Sequence, residues 1–344
     1  MTKLARPVLA AIGALMLAGQ ALATPKLWVV SPSNRVGGVA PVSIVTRQDP
    51  KTARTTVFVP SGYRIPDGLN QRIGLVFGTA DVLVREADGS ITSLNGTVSG
   101  VAPQTYANST CATDKAQHDA VWVIRAQRAG TPATATIPVF VDHLVGGPDA
   151  KFGDYKLQFC AASLANMDVA GIDMKLKDVL VNPLVRGWYV WRARFEPLAA
   201  DAKTIESAAS TSARAVVPLN VQLTMTPQRV AGKRWVAFSG KLTAAQVAMG
   251  AVQVRVYAGH SARLRLTRPV ATVKTNGRGV FRALLRLGKG PWYVRAVATS
   301  PTRDITSSGC AGASADEPVA GARGCVSASL APFSTKSRVY RVAI

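Results

Sequence analysis

The chain has 344 residues, 41 Lys and Arg against 19 Asp and Glu, a net charge of +22 and a pI near 10.5. That length accommodates two domains of ordinary size. No apolar stretch beyond the N-terminus is long enough to span a bilayer, which argues against a helical integral membrane protein.

Residues 1–23, MTKLARPVLAAIGALMLAGQALA, place Lys3 and Arg6 before an apolar run and end on the small triplet Ala21-Leu22-Ala23. This is the pattern of a secretory signal, and cleavage is expected after Ala23. No cysteine follows the site, so no lipid anchor and no transmembrane segment are expected after cleavage. The mature chain should be secreted, extracellular or associated with the cell envelope.

From residue 24 to 200, short β-branched or alternating runs recur between turn residues: TTVFVP, ADVLVREADGSITSL, AVWVIRAQ, ATIPVFVDH, YKLQFCA and WYVWRARF. Strands at this spacing without long helical periodicity predict a β-sandwich or barrel. Asp88-Gly89 predicts a two-residue hairpin turn. Asp142, Asp149 and Asp154 lack the D-x-D-x-D-G spacing of a calcium loop and Lys151 intrudes, so a solvated loop is expected there. Trp188, Tyr189 and Trp191 lie on a strand whose alternate faces cannot both be exposed, so core packing is favoured over a sugar platform.

Residues 201–216 are small and polar, without strand alternation, and read as a linker with at most a short helical turn. Strands resume over 217–344: LNVQLTMTP, RWVAFSGKLT, AVQVRVYAG, ARLRLTRP, VATVKT, GVFRALLRL, WYVRAVAT and SRVYRVAI. Val252, Val254 and Val256 share one face of their strand, as do Phe281, Ala283 and Leu285 of theirs. In KTNGRGVFRALLRL, Asn276-Gly277 predicts the positive-φ pair of a hairpin tip. No G-x-x-x-x-G-K-[ST] phosphate loop is present. A long irregular loop is expected over 300–336.

Four cysteines in an exported chain predict disulfides, and Cys111–Cys160 with Cys310–Cys325 keeps each pair inside one domain. No C-x-x-C spacing supports zinc. No nucleophile elbow is present, and His118, His143 and His260 are scattered. No catalytic residue, metal or cofactor is expected.

The order FSGKLT, GAVQVRVYAG, VATVKTNGRGVFRALLRL, PWYVRAVA resembles bacterial Ig-like domains of the carboxypeptidase-regulatory or transthyretin-like kind. The matching positions are Ser239-Gly240, the three alternating valines, Thr275, Gly279 and Phe281, then Trp292 and Tyr293. The resemblance covers about 217–344 and implies a stalk, adhesive or accessory module. Residues 24–200 are similar only to uncharacterised exported bacterial proteins with a Y/F-x-W strand, here Tyr189 and Trp191.

The expected fold is thus all-β, with two tandem Ig-like β-sandwich domains (24–200 and 217–344) after the signal. Charge is divided unevenly between them: 217–344 holds 19 Lys and Arg against 3 acids. Arg263, Arg265 and Arg268 alternate along an expected strand, joined by Arg255, Arg282, Arg286 and Arg295 in a basic stripe suited to a polyanion. No sequence-specific nucleic-acid motif accompanies them. The expected function is non-enzymatic binding or structure, with the basic domain contacting an anionic envelope polymer or polysaccharide. The alternatives are a carbohydrate- or protein-binding accessory module with its site in 24–200, or a hydrolase.

Overall fold

The computed structural model describes residues 25–344 apart from 32–34, 40, 48–51, 67–72, 110, 112–117, 133, 162–166, 200–203, 231–233, 246 and 306–327. The expected signal segment and the Cys310–Cys325 pair lie outside the described residues. The all-β expectation holds: beside single 3-10 turns, every regular element described is a strand.

The N-terminal part contributes β1 (Lys26–Val30), β2 (Val42–Arg47), β3 (Thr52–Val59), β4 (Val76–Arg85), β5 (Ile91–Val101) and β6 (Ala120–Gln127). It continues with β7 (Thr134–His143), β8 (Tyr155–Cys160), β9 (Asp168–Leu176), β10 (Gly187–Pro197) and β11 (Thr211–Leu219). After these come β12 (Gln222–Arg229), β13 (Trp235–Ala244), β14 (Val247–Ala248), β15 (Gln253–Gly259), β16 (Ala271–Lys274) and β17 (Val280–Arg286). The last are β18 (Pro291–Ser300), β19 (Arg303–Ile305), β20 (Ala328–Leu330), β21 (Phe333–Lys336) and β22 (Tyr340–Ala343).

One hydrogen-bonded sheet runs β1-β2-β9-β4-β5-β6-β7-β8-β3-β10-β11-β20-β19. It rolls on itself. β1 stands far from β11 along the path, yet packs beside β11 and β20, and the Ser329 hydroxyl donates to the Leu27 carbonyl. Alternate residues of every strand from β1 to β11 enter one core, with Leu27, Ile44, Val82, Trp122, Val139, Trp191 and Val217 among them. The period-2 patterning read from sequence therefore lines the concave side of a single sheet.

The remaining strands form two layers. β12, β13, β14 and β17 make one, and β15, β16, β18, β21 and β22 the other. Their facing residues, including Phe238, Phe281, Val254, Val256, Val294 and Ala296, make a second core. That core does not stop at the edge of the two layers. Val190 of β10, Val216 of β11 and Leu330 of β20 belong to it too.

Several expectations need correction. Residues 211–216 are part of β11, paired along its whole length with β10, and of the described part of 201–216 the stretch 204–210, with its turn Ser207–Ala209, matches the linker reading. The loop expected over 300–336 contains β19, β20 and β21, and β20 pairs parallel with β11. Residues 262–269 form no strand. Each edge of β15, the strand this alternating segment follows, is already occupied, by β16 and by β18, so the segment cannot pair with it.

Two glycine turns also differ from expectation in the same way. The Asn276 carbonyl accepts the Gly279 N–H at 2.8 Å, and Asn276 Oδ1 accepts the N–H groups of Arg278 and Val280 at 3.0 Å. Gly279, not Asn276 or Gly277, has the positive φ, 71°. At β4–β5 the Glu86 carbonyl accepts the Gly89 N–H at 2.9 Å, and Gly89 has φ 82°. Both are four-residue turns ending in a left-handed glycine. Residues 276–279 are no hairpin tip, because β16 and β17 belong to different layers. The turn carries the chain across the sandwich.

Cys111 and Cys160 are bonded, with Cα atoms 5.7 Å apart and a sequence separation of 49. Both are fully buried with Val121 and Phe140 on the convex side of the rolled sheet. The bond pins the β5–β6 connection to β8. Closing a loop of that length restricts the unfolded chain by about 4 kcal/mol. Urea unfolding of the C111A/C160A variant is expected to show a lower midpoint corresponding to a loss of that order, and an unchanged midpoint would show that the cover is held by other interactions.

Candidate functional site

Strand parity and register decide which cations stand together. By strand parity Gln253, Arg255 and Tyr257 of β15 and Tyr293, Arg295 and Val297 of β18 face away from the second core, and of these Tyr257 and Val297 are nonetheless buried. Tyr257 pairs with Arg295, Arg255 with Val297, and Tyr293 with Arg341. Lys274 pairs with Gln253, and Lys336 with Val297. The outer face of this layer thus gathers Arg255, Lys274, Arg295, Lys336 and Arg341 around the half-buried Tyr293, with Tyr257 buried among them, on strands about 4.8 Å apart. None of these cations has a carboxylate partner among the described residues. Of the three acids in 217–344, Asp304 pairs with Lys26 at 3.3 Å, and Asp316 and Glu317 lie outside the described residues.

Arg282 and Arg286 stand on the opposite outer face of the sandwich, on β17. Lys241 joins them from β13, where it pairs with Val280. Asn276, Arg278, Val280 and Arg282 line an open depression of about 460 Å³ there. Arg263, Arg265 and Arg268 lie in the irregular segment 260–270. It is held at the end of β15 by the His260 ring, 4.0 Å from Trp292, with His260 Nδ1 3.0 Å from the Pro291 carbonyl. The expected single stripe is therefore three separate groups. Lys274, Lys336 and Arg341 were missed because strand partners, not spacing along the chain, bring them to Arg255 and Arg295.

A second charged cluster is buried on the convex side of the rolled sheet. Arg54 donates to both oxygens of Glu196, at 2.6 and 2.9 Å, and Ser207 donates to Glu196 at 2.7 Å. Arg194 bonds Asp149 at 3.2 Å and lies 5.4 Å above the Phe58 ring, while Arg192 lies 5.2 Å above Phe152. His118 Nδ1 is 2.9 Å from Asp142 Oδ2, and Lys156 Nζ is 3.7 Å from the same oxygen. The His118 ring stacks on Phe140 at 4.4 Å. Asp142, Lys156 and Glu196 are all under 8 % exposed.

Asp142, Asp149 and Asp154 do not converge. Asp142 is taken by His118 and Lys156, Asp149 by Arg194, and Asp154 accepts the Gly62 N–H at 2.9 Å. Against the expectation of a solvated loop, Asp142 is buried. The His118–Asp142 pair has the orientation of a general base and its carboxylate, but Nε2 of His118 has no hydrogen-bond partner among the described residues. Trp191 and Tyr189 pack into the first core, Trp188 and Val190 into the second, so both faces of this aromatic strand are covered.

Burial pushes the Glu196 carboxyl up, but the hydrogen bonds from Arg54 and Ser207, with the charges of Arg54 and Arg194, outweigh it and hold the group below its ordinary value.

No family model matches the chain, and no curated protein matches it. Among solved structures the chain is similar to the D0-D1 domain of Intimin, at 8% sequence identity over 90% of this chain and 96% of that one. The TM-score is 0.19, and at that value the likeness carries no argument.

A carboxylate held below its ordinary value stabilises the fold above that value, 4.5 for glutamate here, and the contribution fades as pH falls through the lowered folded-state value. E196Q should unfold at lower urea concentration at neutral pH, by about 3 kcal/mol, because Arg54 is left without its charge partner. It should also flatten the loss of stability between neutral and acid pH. Parallel pH profiles for wild type and variant would refute this assignment.

Proposed function

We propose that this is an exported, non-enzymatic binding or structural protein of the cell envelope or extracellular space, whose basic sandwich contacts anionic polymers. The observation that supports it is the outer face of β15, β16, β18, β21 and β22, with five cations, the half-buried Tyr293 and no described carboxylate. Cations on a fairly rigid sheet hold fixed spacings, so a polymer with repeated charges can meet several at once. The half-buried Tyr293 adds apolar area between them. The alternatives have less support. The strand aromatics that a sugar platform would need pack into the two cores, and the His118–Asp142 pair has no described hydroxyl or thiol bonded to Nε2.

The test uses the intact mature chain, because β10, β11 and β20 share residues between the two cores and a cut at 216/217 would fall inside β11. Retention on immobilised heparin, a sulfated polysaccharide, is measured across a salt series. The variant R255S/R295S/R341S should elute at lower salt, with a salt dependence shallower by about one unit of slope for each arginine withdrawn from a sulfate. R282S/R286S, on the opposite face, should change retention less. Unchanged elution of the triple variant would refute the reading.

A further inference from the structure

We propose that one end of the rolled sheet docks on an anionic lipid surface. Register fixes which connections meet at that end: Val30 pairs with Ser43, Val42 with Leu176, Gly78 with Leu176, Val101 with Val121, and His143 with Tyr155. The β1–β2, β3–β4, β5–β6, β7–β8 and β9–β10 connections therefore all emerge together.

Of the ten large apolar side chains exposed among the described residues, seven stand at this end, and Ile91 alone at the other end of the sheet. Val39 precedes β2. Ile73, Leu75 and Val76 lead into β4. Val145 follows β7, and Leu184 and Val185 lead into β10. They are between 52% and 85% exposed. Val145 is the most exposed. It sits beside Gly146 and Gly147, both at positive φ, where an added Cβ would meet nothing within 4 Å. Its tip projects clear of the fold.

A soluble fold that leaves so many apolar groups at one end has a use for them. They come from four separate connections and are spread around the end, interrupted by charge, so they form no groove for a peptide. The charges identify the occupant. Arg35, Arg64, Lys151, Lys177 and Arg186 are all exposed on the same connections. Among the described residues the exposed acids near them are Asp178 and Asp119, and Asp119 accepts the His143 N–H at 2.6 Å. Apolar tips with flanking cations match the headgroup boundary of an anionic bilayer, where side chains enter the acyl region and cations meet the phosphates. This surface is separate from the basic sandwich face, and its success does not depend on polymer binding there.

The test is co-sedimentation of the intact mature chain with vesicles of phosphatidylglycerol and phosphatidylcholine, at low salt and at about 1 M salt, where the screening length is about 3 Å. Wild type should sediment at low salt and retain part of its binding at high salt. V145D/L184D should partition about a hundred-fold less, about ten-fold for each side chain withdrawn from the lipid, with heparin elution unchanged. V145W should bind more tightly. R255S/R295S/R341S, altered only on the sandwich, should keep its high-salt vesicle binding while its heparin elution shifts. A wild type that does not sediment would overturn the proposal and point to a protein partner. So would V145D/L184D and V145W variants that both bind like wild type.

Discussion

The structure depends on two strands that are buried on both sides. β10 and β11 close the rolled sheet against β1 and at the same time supply one wall of the second core. Trp191, Ala193, Ala215 and Val217 face the first core, while Val190 and Val216 face the second. β20 extends this wall, since Leu330 sits beside Val216 in the parallel ladder and Ala331 reaches back into the first core. The two cores therefore share a partition only one strand-layer thick. A cavity opened in that layer would be felt on both sides, because close-packed interiors transmit changes in volume.

The same constraint explains what the sequence concealed. A strand with one wet face alternates, and β15 and β17 do so plainly in QVRVYAG and VFRALLR. A strand with two dry faces has no polar face to reveal it. The end of β11, AVVPL, is buried at every position, and it follows small polar residues that look like a linker. The opposite failure occurs at ARLRLTRP. It alternates well but lies outside any sheet, because periodicity gives a segment a face and not a neighbour. The glycine turns fail more subtly. The dipeptides Asp88-Gly89 and Asn276-Gly277 mark real turns, but which residue takes positive φ, and whether the flanking strands pair, is settled by the layers on either side. Strand existence, the faces of β15 and β17 and the Cys111–Cys160 bond were readable because each rests on local pattern or on simple counting.

Charge was legible in amount and not in arrangement. Arg54, Lys156, Arg192, Arg194 and Glu196 occupy alternate positions in TARTTVFV, YKLQFC and GWYVWRARFEP. Each run alone looks like a strand with a solvated side. Side by side, their charged residues form one ionic layer beneath the β5–β6 connection and the turn Ser207–Ala209. Bidentate pairing and cation–aromatic contacts make such burial tolerable, and removing any one partner would leave an uncompensated charge behind.

That difference in arrangement gives the molecule its polarity. In the N-terminal part cations and acids are nearly matched in number, and the matched ones are largely consumed within the fold: Arg54 and Arg194 by Glu196 and Asp149, Lys156 by Asp142. In 217–344 the cations have almost no acids to meet, so the sheets display them outward on both faces of the sandwich. A fold built to neutralise its own charge would have placed acids on the strands beside Arg255 and Arg295, where cross-strand pairing is inexpensive. The neighbours there are Val297, Thr272 and Tyr257 instead. The positive face is therefore left uncancelled by its own strands, and the mutual repulsion of its cations is the kind of cost that an anion placed on that face would lower.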